Sequence, residues 1–157
     1  MKKIKWKPLL VSLAVSLGTG ALSALLTSDS MGQYQNIYRP PLAPPGWLFP
    51  IVWTILFVLM GVAAYRIYVA DAAQDEKRSA LLFYVAQLLV NFFWSIIFFR
   101  WEAYLLAFAW LLLLWYLIFV TLRKFYDIDK TAGYLLIPYL AWVTFAGYLN
   151  LAIVIGT

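Results

Sequence analysis

The stretch PPLAPPGWLFPIVWTILFVLMGVAAY, Pro40–Tyr65, decides what kind of protein this is. Its first half crowds prolines, and proline fixes φ and pushes the preceding residue toward extended geometry, so PPLAPP predicts a stiff, non-helical crossing. After Pro50 the prolines stop, and the run from Ile51 onward has the length and apolarity of a membrane helix. Trp47 falls where an interfacial anchor belongs, and Trp53 lies already inside the span. Two readings stay open on these residues alone. The prolines and tryptophans form a lid over a ligand mouth, or they end a loop and mark the headgroup level.

Composition extends this to the whole chain of 157 residues. It is 65% hydrophobic and only 12% charged, against about a quarter charged in a globular domain. Further spans are predicted at about 8–27, 79–99, 103–122 and 131–155, beside 46–69 for the segment above, with a lid loop at 28–45. The expected fold is all-α: an integral membrane bundle of five transmembrane helices forming one domain over residues 1–157. The opening MKKIKWK and its apolar run also have the order of a cleaved leader, but the run is longer than the 7 to 15 residues of such a core. In span one Ser12, Ser16, Gly20 and Ala24 recur every fourth residue, a small-residue stripe that lets a neighbouring backbone approach.

Charge sets the expected orientation. Ten of the 12 Lys and Arg residues fall at one end of the spans and two, Arg39 and Arg100, at the other. The positive-inside rule then puts the N-terminus in the cytoplasm and the lid and C-terminus outside. The net charge of +5 forms no continuous stripe, so no nucleic-acid partner is expected.

The interior excludes much chemistry. With no histidine and no cysteine, the usual general base, thiolates and the common zinc and haem ligands are missing, so no metal site is expected. Asp, Glu, Lys and Arg occur only near span ends, which disfavours ion-coupled transport and leaves no carboxylate pair for catalysis. What remains is aromatic planes with a few neutral polar groups, the makings of a site for flat apolar ligands. Gln87, Asn91 and Trp94 lie at i, i+4 and i+7, so they share one face and look into protein. They serve either as interhelical glue or as part of a pocket. In span five the inner stripe is expected to run Pro138, Trp142, Ala146, Leu149 and Asn150, with a slot for a flat ring beside Trp142 and Ala146.

Three segments carry a family resemblance: PPLAPPGWLFPIVWTILFVLMG (40–61), QLLVNFFWSIIFF (87–99) and PYLAWVTFAGYLN (138–150). Together they closely resemble the translocator protein family, also called peripheral benzodiazepine receptor or tryptophan-rich sensory protein, and they fall in spans two, three and five in the family's order. The resemblance implies a five-helix bundle that binds porphyrins and isoquinoline-type or benzodiazepine ligands under the first loop, usually as a homodimer. By position, Trp53 and Trp142 match the family's pocket tryptophans, and Asn91 and Trp94 match the asparagine and tryptophan of helix three. Ala146 and Leu149 match pocket residues of helix five, Pro44 and Pro45 the lid, and Tyr34 a loop tyrosine. One departure concerns sterols. The animal members' cholesterol motif needs a basic residue after a tyrosine, and here Tyr148 is followed by LNLAIVIGT.

The expectation drawn from all this is a binding protein of a bacterial plasma membrane, with no cofactor of its own. A porphyrin is its ligand, stacked between Trp53 and Trp142, hydrogen-bonded from Asn91 and closed over by the lid. The alternatives are a light- and oxygen-dependent porphyrin-degrading protein, which the resemblance would assign to Trp53 and Trp142, a facilitated transporter of tetrapyrroles, and a purely structural bundle.

Overall fold

The computed structural model describes residues 3–27 and 45–156. Its helices are α1 (Trp6–Thr27), α2 (Leu48–Tyr68), α3 (Gln74–Ser95), α4 (Tyr104–Ile128), α5 (Lys130–Leu135) and α6 (Ile137–Gly156). A π-helical turn, Ile96–Arg100, extends α3, and α5 with α6 forms one interrupted span. Five spans are long and apolar enough to cross a membrane, and there is no strand among the described residues. This is the all-α membrane bundle that the sequence predicts.

Local chemistry explains the ends. Pro50 sits in the first turn of α2, where a missing N–H costs nothing because that turn has no intrahelical acceptor for it. The turn is closed instead by Leu48 N donating to Pro45 O at 3.1 Å. α3 starts at Gln74, ahead of the expected 79, because Asp75 and Glu76 suit the positive end of a helix. Likewise α4 runs on to Ile128, past the expected 122: the helix outlasts the apolar run and carries Arg123 and Lys124 beyond it. At the far end Trp101 N and Ala103 N reach back to Ile96 O and Ile97 O, at 2.9 and 3.1 Å. Glu102, at φ 53°, turns the chain into α4.

Around the bundle the order is α1, α2, α5/α6, α4, α3, with α3 closing on α1. The small stripe of α1 packs on α2 along its first half. Ser12 Oγ donates to Gly61 O at 2.7 Å and Ser16 Oγ to Phe57 O at 2.8 Å. Gly20 faces the Phe57 ring at a distance that leaves no room for a Cβ. The core is filled by Met60, Ile67, Leu114, Ile118, Phe125 and Tyr139, all essentially without exposure.

One ion pair latches the basic end. Arg66 Nε and Nη2 donate to Asp129 Oδ2 and Oδ1 at 2.8 and 3.3 Å. The same carboxylate accepts from Thr131 N at 3.1 Å and so caps α5. Arg66 is 42% exposed, so the pair alone is worth under about 1 kcal/mol, while the cap is worth about 1 kcal/mol. Asp129→Ala should therefore lower the thermal midpoint in detergent more than Arg66→Ala does. Equal losses in the two variants would mean that the cap contributes nothing.

Candidate ligand-binding site

A cavity of about 570 Å³ lies between α1, α2 and the end of α3, within the range of about 300–1,000 Å³ usual for small-molecule sites. Its α1 wall is made by the second half of the small stripe, Gly20 and Ala24, with Ser23 and Thr27. Stripe positions near the basic end hold the α2 backbone through their hydroxyls; those near the other end border a hollow. From α2 come Phe49, Trp53 and Phe57, and from α3 come Asn91, Trp94 and, past it, Phe99. No ionisable side chain lines it among the described residues, and these contain no cluster of metal-ligating groups.

Trp53 and Trp94 also border a second, smaller hollow of about 30 Å³, where they meet Trp142, Ala146 and Leu149 of α6. The predicted residues of spans two, three and five are thus neighbours, divided between two adjoining spaces. Pro45 is exposed at the foot of α2. Tyr34 and Pro44 lie outside the described residues.

The expected sandwich between two indoles is corrected. Trp53 and Trp142 are 6.5 Å apart between centroids with an interplanar angle of 87°. A flat guest between them would need parallel planes separated by about 7 Å, two contact distances of about 3.5 Å. Edge-to-face contact is what the aromatic quadrupole favours when two rings touch directly. Trp142 is held in that pose by Phe49 at 5.9 Å and Phe145 at 5.5 Å. Trp53 borders the large cavity and Trp142 does not.

The inner stripe of α6 is corrected as well. Pro138 faces outward and its neighbour Tyr139 is buried, followed by Val143, Ala146, Leu149 and Asn150. Tyr139 is the residue that sequence reasoning missed. Its Oη accepts from Asn91 Nδ2 at 2.6 Å and donates to Gln87 Oε1 at 2.6 Å, and its ring meets Trp53 edge-on at 6.2 Å. It therefore supports both an aromatic ring and a polar group of the cavity wall. Trp94 is fixed in a similar way, Nε1 donating to Asn150 Oδ1 at 3.3 Å, while Asn150 Nδ2 donates to Tyr104 O at 2.9 Å. The shared face of Gln87, Asn91 and Trp94 does look into protein: all three tie helices together, and Asn91 and Trp94 also border the cavity.

The sequence matches the model of the TspO/MBR family over residues 10–155. Among similar proteins, the tryptophan-rich protein TspO of Chlorobaculum tepidum is 35% identical over 97% of this chain and 96% of its own length. The tryptophan-rich sensory protein of Cereibacter sphaeroides is 37% identical over 92% of this chain and 88% of its own. The human translocator protein is 32% identical over 92% and 87%.

Proposed function

This chain belongs to the TspO/MBR family, and from that premise we propose that it is a membrane-embedded binding protein for porphyrins and other flat hydrophobic ligands, held in the cavity between α1, α2 and α3. The observation that carries the reading is the cavity itself: about 570 Å³, walled by aromatic rings and neutral polar groups and free of ionisable ones among the described residues. Such a space rewards a large apolar plane and offers nothing to a small ion. The ligand stacks on one face of Trp53, with Trp94 and Asn91 at its edge, and Trp142 backs Trp53 from behind. The proposed setting is a plasma membrane with the N-terminus in the cytoplasm, a reading that the ten-to-two split of basic residues supports, and the proposed working form is a homodimer.

Protoporphyrin titration in detergent, read by porphyrin absorbance, tests this. With eight tryptophans in the chain, quenching of intrinsic fluorescence would not isolate one site. Saturable binding is expected, and Trp53→Leu should weaken it about tenfold or more, the worth of one ring stacked on an aromatic face. Trp142→Leu should cost less, since it acts through Trp53. No saturable binding, or equal losses in both variants, would count against this placement.

The contact between Trp53 and Trp142 favours one second reading, light- and oxygen-dependent consumption of the porphyrin, because an excited guest on Trp53 would sit one indole away from another. Illumination with and without oxygen separates the two readings. Bleaching no faster than with free tryptophan in the same detergent leaves binding alone.

A further inference from the structure

We propose that Arg100 is a specificity-determining residue of this cavity: standing at its outer rim, it takes a carboxylate carried on the edge of a flat ligand whose rings are buried among the aromatic side chains. The inference rests on the binding role proposed above and adds a charged contact outside the neutral wall.

The cavity wall is uncharged among the described residues, but its rim is not. α1 ends at Thr27, and the π-helical turn that extends α3 ends at Arg100. Thr27 and Phe99 both line the cavity, so Leu26 and Arg100 are the chain neighbours of two lining residues. Arg100 Nη1 donates to Leu26 O at 3.1 Å, which lays the guanidinium across the gap between the two helix ends. The π turn contributes to this placement. Trp101 N reaches back five residues, to Ile96 O at 2.9 Å, so an extra residue is fitted into the turn and the side chains that follow are carried round the helix axis. α1 packs directly against this turn.

A cation here runs against the charge pattern of the chain. Ten of the 12 basic residues lie at the opposite end of the spans, and Arg100 is the basic residue of this end among the described residues. Its side chain is exposed and the protein does not use it up. One of five N–H groups goes to the Leu26 carbonyl, a cap for the end of α1, and among the described residues the ion pair is Arg66 with Asp129, at the far end. With Nη1 engaged, the edge formed by Nε and Nη2 stays whole, and that edge grips a carboxylate through two parallel hydrogen bonds. A flat apolar ligand with an acid group on its edge suits both halves of this arrangement. Its rings fill the aromatic cavity, while its charge stays at the exposed rim and avoids the cost of burial.

The test compares protoporphyrin with its dimethyl ester, the same macrocycle with and without carboxylates, titrated at neutral pH and low salt in a non-ionic detergent, with empty micelles correcting for partition. The acid should bind about fivefold more tightly, the upper end for an exposed ion pair. That preference should fall toward one in about 1 M salt, where charges are screened beyond about 3 Å. Arg100→Gln keeps an N–H for the Leu26 carbonyl and removes the charge, so affinity for the acid should drop about fivefold while that for the ester holds. Equal losses for acid and ester in Arg100→Gln would mean that the residue only caps α1, and would overturn the inference. So would an acid-to-ester ratio near one in the unmodified protein, or a preference that survives Arg100→Gln. The two levels separate cleanly: both porphyrins bound without discrimination removes only the role of Arg100, whereas failure of both to bind removes the binding role too.

Discussion

Tyr139→Ala should destabilise the bundle by about 3–5 kcal/mol, the range for emptying a well-packed aromatic site. Tyr139 heads the fully buried side chains by volume, and it lies where three spans meet: Asn91 and Gln87 on α3, Trp53 on α2 and its own α6. Two amides lose their shared partner with it. Tyr139→Phe separates the contributions, because it keeps the ring and loses only the hydroxyl. Interhelical hydrogen bonds inside a membrane average about 0.6 kcal/mol each, so the phenylalanine variant should lose about 1 kcal/mol. Thermal unfolding in detergent followed by helical circular dichroism checks both. Similar midpoints for the two variants would mean that packing around the ring matters little.

Gly133→Ala and Gly18→Ala should move stability in opposite directions. In a helix interior alanine is favoured over glycine by about 1 kcal/mol, and at Gly18, where an added Cβ meets nothing within 4 Å, that gain should appear. At Gly133 the Cβ would lie 2.6 Å from Tyr126 Cβ and 2.8 Å from Tyr126 Cα. Backbone cannot swing aside as a side-chain tip can, so α5 must lift off the end of α4, a net loss of about 1–3 kcal/mol. The same melting experiment reads both signs. A stabilised Gly133→Ala protein would mean that α5 is not seated against α4 as described.

The two corrections share a physical origin. Spans are legible because about 20 consecutive apolar residues have few other uses, and the face carrying Gln87, Asn91 and Trp94 is legible because amides avoid lipid. In α6 that signal fails. Lipid and core are both apolar, so Pro138 and Tyr139 could each be placed inward, and only a partner on another helix decides between them. A hydroxyl with two amides waiting for it settles Tyr139. The pose of Trp142 was beyond reach for a related reason: residue spacing brings Trp53 and Trp142 together, but Phe49 and Phe145 set the angle between their planes. The cavity itself was half visible. The stripe from Ser12 to Ala24 reads as uniform in the sequence, yet the bulk opposite each position decides where it closes on α2 and where it opens.

That uneven seam makes the bundle mechanically lopsided. Ser12 and Ser16 pin α1 to the α2 backbone at one end, while past Ser16 the helix runs along the hollow for 11 residues, Leu17–Thr27, a length of roughly 16 Å at 1.5 Å per residue. At that end α3, α6 and α4 are bolted together through Trp94, Asn150 and Tyr104, and Arg100 reaches across to Leu26 O of α1 at 3.1 Å. A guest in the hollow therefore lies against the stretch of α1 that its serines do not pin to α2.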